Sequence, residues 1–307
     1  MKKIVTLLAV ALISIGAWAK PLYDLKPVKV ADGITCSIGD LNPPTKANKG
    51  NVNNSCWIDL GKSLVIVDPG PTYGFAKEFA ELAKKQTGKP VKAVVVTNYH
   101  DDRLYGASYY AAKHIPVIAH KNIVEDIKKN PGKFKRMPHL LSKEEFAGTK
   151  LVTPDTLFDK KYVIKGSKRS VELLKLSPVS EEHSDIVVWV PDVKFLFAGN
   201  IVFNDRALNY TKNSNMKGWI EALHKIAAMK PKIVLGGHGG TMGPDAYKTT
   251  LEYLQSLQKQ VKAAYDNDVD MSELMKHVDL SKFKHLKHAE QLGRHNANDY
   301  YEQLDWE

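Results

Sequence analysis

The chain has 307 residues, 43% of them hydrophobic and 25% charged, a globular balance that excludes disordered, collagen-like and coiled-coil classes. Its 44 Lys and Arg outnumber 34 Asp and Glu, for a formal charge of +10. These cations are strewn along nearly every segment rather than clustered with aromatics, so they read as a solvated basic surface and no nucleic-acid partner is expected.

In chain order, Met1, Lys2 and Lys3 precede an apolar run over 4–17, and Ala17, Trp18 and Ala19 fit the small-x-small cleavage rule. Residues 1–19 therefore read as a secretory signal. The apolar run is too short to span a bilayer, and the polar, proline-broken stretch after it supports cleavage without stable membrane insertion. The expected address is the periplasm or the medium. Residues 20–307 read as a single domain with an inserted segment near 128–150 and a C-terminal helical tail. Cys36 and Cys56 lie in strand-like runs, 33–38 and 55–60. An even count in an oxidising compartment favours one disulfide between them over two buried thiols.

Strands and helices then alternate. Apolar runs at 63–68 and 91–97 predict buried strands, separated by a helix over 73–85 with Phe75, Phe79 and Leu82 on one face. A helix starts near 104, a short strand covers 116–119 and an amphipathic helix covers 122–129. After the basic, Pro- and Gly-containing insert, strands are expected at 153–158, 162–164, 171–176, 186–190 and 195–198. A helix over 216–229, a strand over 233–235 and a long helix over 245–266 complete the pattern, which is that of an α/β protein.

Polar residues stand where the buried strands end, the usual functional edge of such folds. Asp68 follows one strand, and Asn98, His100, Asp102 and Arg103 follow the next. Asn200 follows a third strand and His238, flanked by glycines, a fourth; His183 precedes the strand at 186–190. Imidazole and carboxylate together suit zinc.

These motifs resemble the metallo-β-lactamase superfamily in order and spacing: Asp68, Pro69 and Gly70; 97–106; His183, Ser184 and Asp185; 197–200; and 236–239. The resemblance implies an αββα sandwich of two mixed β-sheets flanked by helices, with a metal site at one sheet edge. Residues 294–302 resemble the ending of exported members that accompany sulfur-oxidation or quinoprotein systems. The metal motif is atypical. Asn98 and Arg103 replace two histidines of the usual His-x-His-x-Asp-His, and Asn200 replaces the bridging Asp or Cys. Asn98, His100, Asp102 and Arg103 resemble the mono-zinc carbapenemases, but Phe203 stands where those carry a Lys.

On this likeness His100, Asp102, His183 and His238 would hold about one zinc ion per chain. Asp102 would also orient a metal-activated hydroxide, while Asn98 and Asn200 would hydrogen-bond a small carbonyl-type substrate. Asp68 and Arg103 would stand behind the ligands, with Arg103 neutralising Asp102 or Asp68. The expected function is an exported zinc-dependent hydrolase. The alternative is a catalytically degenerate binding or relay protein, because amides are poor zinc ligands. A mononuclear iron site is a third possibility that metal analysis would separate.

Overall fold

The computed structural model describes residues 21–306, so the signal expected at 1–19 lies outside the described residues. Two sheets form the centre. The first contains β1 (Val28–Ala31), β2 (Ile34–Ser37), β3 (Ser55–Asp59), β4 (Leu64–Val67), β5 (Val91–Val95), β6 (Val117–His120) and β7 (Thr156–Phe158), side by side in chain order. Pairing is antiparallel as far as β4 and parallel from β4 to β7. The second contains β8 (Lys161–Lys165), β9 (Ser170–Leu174), β10 (Val187–Val190), β11 (Phe195–Phe197), β12 (Ile233–Leu235) and β13 (Met242–Gly243), again in sequence order. Only β11 and β12 pair in parallel here.

The period-two alternation of a strand explains the layers. In β4, Val65 and Val67 point between the sheets, where they join Val95, Val188, Phe195 and Phe197. Leu64 and Ile66 point the other way, onto Phe75 and Phe79 of α1 (Tyr73–Thr87). A strand covered on both faces must be apolar throughout, hence the unbroken run in the sequence. Thr72 caps α1 by accepting the Phe75 amide at 3.0 Å, and Gly88 ends it in the left-handed region.

The chain then forms α2 (Asp101–Leu104), α3 (Ala107–Ala111), α4 (Ile123–Lys129) and α5 (Arg136–Leu140) over the first sheet. On the second sheet's outer face, α6 (Met216–Ala228), α7 (Lys248–Asp266) and α8 (Ala289–Leu304) share a core with Val187, Leu196 and Val234. The result is the αββα sandwich. Cys36 and Cys56 lie directly opposite in the β2–β3 register and form a disulfide. Among the described residues no helix is long and apolar enough to cross a membrane.

The insert near 128–150 consists of short helical turns and loop. A 3-10 turn over Pro131–Lys135 leads into α5, and Phe134 and Met137 pack with Tyr99 and Tyr105. This packing carries Lys133 and Arg136 to the strand-end edge.

Candidate functional site

Four strand ends converge. After β4, Asp68 takes a left-handed backbone (φ 51°), and its carboxylate accepts the Thr97 amide at 2.8 Å and the Thr97 hydroxyl at 2.7 Å. After β5, the Asn98 side-chain Oδ1 accepts the His100 amide at 3.1 Å and sets the entry to α2. After β11, a 3-10 turn holds Asn200. After β12 comes His238, with glycine on both sides for a steric reason. A Cβ on Gly237 would fall 2.5 Å from Asn200 Oδ1, and one on Gly239 (φ +85°) would fall 1.9 Å from Asn204 O.

Arg103 fills the space between these ends. Its side chain is wholly buried. Nη1 donates to Asp68 Oδ2 at 3.2 Å and to Thr97 Oγ1 at 3.1 Å, Nε to Asp102 Oδ1 at 3.2 Å, and Nη2 to Asn200 Oδ1 at 2.6 Å. The same Nη2 lies 3.4 Å from His238 Nε2. His238 Nδ1 is 2.7 Å from the Val52 carbonyl, an acceptor that requires the proton on Nδ1. The Nε2 lone pair therefore faces the guanidinium. Burial alone would raise Asp102, yet Arg103, with the two imidazoles, holds it well below the usual carboxylate range. Asp68 is pushed up to about 6 by burial, against the pull of Arg103. Burial, followed by the nearby Arg206 charge, drives His238 well below its ordinary value and keeps it neutral.

A second cation holds the other half. Lys133 Nζ lies 2.9 Å from His100 Nε2, bonds Glu182 Oε1 and sits 4.5 Å from the Tyr99 ring centroid. His100 Nε2 is also 3.2 Å from Glu182 Oε1, and Asn200 Nδ2 lies 3.3 Å from its Nδ1. Burial and then Lys133 lower His100 to about 4. Burial would raise Glu182, but His100 and Lys133 bring it down to about 2. Glu181 is pushed well above its ordinary value by burial and then by Asp185 and Glu182, and it accepts from Asn200 at 2.7 Å and Asn98 at 3.3 Å. Asn98 also donates to Asp185 at 3.0 Å.

Asp68, Asn98, His100, Asp102, Arg103, Asn200 and His238 thus meet as the sequence suggests, and His183 does not. The Glu182 amide donates to Asp185 Oδ2 at 2.7 Å, a turn that aims Glu181 and Glu182 inward and His183 outward. His183 is half exposed, and its closest acid is Asp126 at 3.9 Å, beside a separate hollow with Asn122 and Lys129. Glu181, Glu182, Lys133 and Arg206 join the site without having been singled out. For the two glutamates, the signal was an acid run just ahead of a strand.

Of these residues His100, Asp102, Lys133, Glu181, Asn200 and His238 line a pocket of about 520 Å³, together with Pro43, Pro44, Phe203, Arg136, Arg206 and Leu292. Phe203 stacks on His238 with ring centroids 5.0 Å apart. Arg136 is spent on Asp101, with Nε to Oδ2 at 3.1 Å. Arg206, half-buried, makes no ion pair, and its buried Nε has no hydrogen-bond partner among the described residues.

The fit of these residues to zinc is poor. A zinc ligand must offer a free lone pair, but His238 Nε2 and Asp102 face a guanidinium and His100 Nε2 faces an ammonium. Among the described residues, no three His, Cys, Asp or Glu side chains are grouped to hold a metal ion.

Residues 49–238 match the profile of the metallo-beta-lactamase superfamily, and the chain belongs to it. It is 23% identical over 216 residues to a type 2 metallo-beta-lactamase of Elizabethkingia meningoseptica, covering 69% of this chain and 78% of that one. Against a type 2 metallo-beta-lactamase of Bacillus sp. (strain 170) it is 24% identical over 210 residues, covering 66% and 73%. Among solved structures, the metallo-beta-lactamase from Pontibacter korlensis superposes with a TM-score of 0.61 at 21% identity, over 75% of this chain and 99% of that one. The DIM-1 metallo-beta-lactamase gives 0.60 at 18%, over 76% and 97%. The hydrolase-like fold is thus shared by proteins of markedly different sequence.

Proposed function

We propose that this chain is a metal-independent binding protein on a hydrolase scaffold, and that its pocket takes a small organic anion. The observation that carries this reading is Arg206. Lys133, Arg136 and Arg103 are matched to Glu182, Asp101, Asp68 and Asp102, whereas Arg206 lines the pocket with no acid of its own. An unpaired guanidinium offers a bidentate site for a carboxylate or similar oxyanion. The volume suits a ligand of metabolite size. Burial lowers the pKa of Arg206, a cost that a bound anion would offset.

Export belongs to the same proposal, supported by the Cys36–Cys56 disulfide and the leader-like residues 1–19. The zinc-dependent hydrolase is the second reading, favoured by the superfamily and by the names of the relatives. It requires Arg103 to leave Asp102, Asn200 and His238.

The test is calorimetric titration with benzoate, succinate and inorganic phosphate. At least one should bind, and Arg206→Gln should weaken it about tenfold or more, as expected for a charge-assisted bond. Binding that ignores this change, or no anion bound at all, contradicts the reading. Carbapenem turnover should be absent. Efficiency near about 10⁴ M⁻¹s⁻¹ would restore the second reading.

A further inference from the structure

We infer that the groove between the start of α8 and the 3-10 turns over Met271–Lys276 and Ser281–Phe283 binds a free single-chain fatty acid, with the acyl chain on its apolar floor and the carboxylate at its cationic rim. The inference does not depend on what the strand-end pocket takes.

The groove has a volume of about 850 Å³, in the range of small-ligand sites, and shares no lining residue with the strand-end pocket. Its floor is Met275, Leu280, Leu286 and Ala289. Gly293 of α8 lies beneath them. A Cβ there would fall 3.2 Å from Leu280 Cδ1, so Leu280 rests against a bare stretch of helix. Leu286 is buried and the other three are half-buried; neither Met275 nor Leu280 is among the large apolar side chains that stand exposed. A recessed floor of this kind admits a single chain, whereas a bilayer needs apolar side chains that project into it.

Charge selects the head group. Lys284 and Arg294 are exposed on the rim, and neither makes an ion pair among the described residues, whereas the nearby Lys276 and Lys282 are matched to Glu273 and Glu252. Glu290, one helical turn before Arg294, is the acid of the lining. His288 lines the groove too, and burial, then Arg206 and Lys287, lower its pKa, so the ring adds no charge at neutral pH. Two cations against one acid leave one positive charge to be met, which is the charge of a single carboxylate. Arg294 offers that group two parallel hydrogen bonds. A neutral amphiphile would fill the floor and leave the rim unmatched, and a short acid would do the reverse.

The experiment is calorimetric titration of the intact protein with laurate, acetate and dodecyl maltoside, each kept below micelle formation. Laurate should bind with a Kd of order 10 µM, and the other two at least about tenfold more weakly, since each keeps half of the match. Ala289→Trp fills the groove from the first position of α8 and should abolish laurate binding. Lys284→Gln combined with Arg294→Gln should weaken it about tenfold or more. Should Ala289→Trp not fold, the double glutamine variant, changed at two exposed positions, decides alone. No laurate binding, binding unmoved by these changes, or dodecyl maltoside held as tightly overturns the assignment. Laurate binding that Arg206→Gln removes and Ala289→Trp spares belongs to the strand-end pocket and also overturns it. Phosphatidylglycerol vesicles free of fatty acid should not capture the protein. Capture that Ala289→Trp removes would give the groove to a bilayer, and a dimer broken by the same change would give it to a second copy; either contradicts the proposal.

Discussion

At the scale of single residues, the convergence of Asp68, His100, Asp102, Asn200 and His238 was legible because each follows a buried strand, and strand ends meet at one edge whatever the intervening loops do. His183 lay beyond that rule. It sits in a turn, where facing depends on the hydrogen bond from Glu182 to Asp185 rather than on strand period. Arg103 was legible as a partner of Asp102 or Asp68, but its contacts with Asn200 and His238 need the second sheet in place. His100 gives a direct check. Its folded pKa, lowered to about 4, lies below the usual unfolded value of about 6.5, so the unfolded chain binds more protons in between. The ring therefore contributes stability of order 3 kcal/mol that is fully present above about pH 6.5 and lost as pH falls towards 4. Asp68, raised to about 6, acts with the opposite sign and costs stability as pH rises from about 4 to 6. In an imidazole NMR titration, His100 should be neutral at about pH 5.5, and Lys133→Met should raise its pKa towards the ordinary value. A charged His100 ring at that pH, or a midpoint untouched by Lys133→Met, contradicts the account.

At the scale of elements, the buried strands were the most legible part. The runs at 63–68, 91–97, 186–190 and 195–198 contain β4, β5, β10 and β11. Their signal is a row of apolar side chains covered on both faces, which few other structures require. The insert was opaque for the converse reason. Its helices are five residues or shorter and show no full period, and Phe134 and Met137 are the residues they bury in the neighbouring cluster. Nothing local marks Lys133 as a pocket residue, since its destination is set by those two side chains. The disulfide was legible from compartment and count, and the β2–β3 register supplies the reason that sequence lacks. Thiol titration of the denatured, unreduced protein should find almost no free thiol, and reduction should cost about 3 kcal/mol for a loop of this length. Two free thiols would contradict the pairing.

At the scale of the whole molecule, each sheet alone presents only half a site. Asp68, Asn98, His100, Asp102 and Arg103 come from the first sheet's edge, and Asn200 and His238 from the second. Packing the sheets through Val65, Val67, Phe195 and Phe197 brings the halves together, so that Arg103 reaches Asn200 and His238 and Lys133 reaches Glu182. The C-terminal helix completes the pocket, with Ala297 and Tyr300 buried against the second sheet's helices and Leu292 on the pocket wall. Its reach into the pocket was invisible in a sequence that shows only a helical tail. The αββα sandwich therefore persists while the edge that carries metal in the superfamily's usual motif is neutralised from within. Elemental analysis of the protein, purified from the periplasm in zinc-supplemented medium without chelator, tests this most directly. The account predicts less than about one zinc per ten chains after dialysis, and one or more zinc ions retained per chain would contradict it.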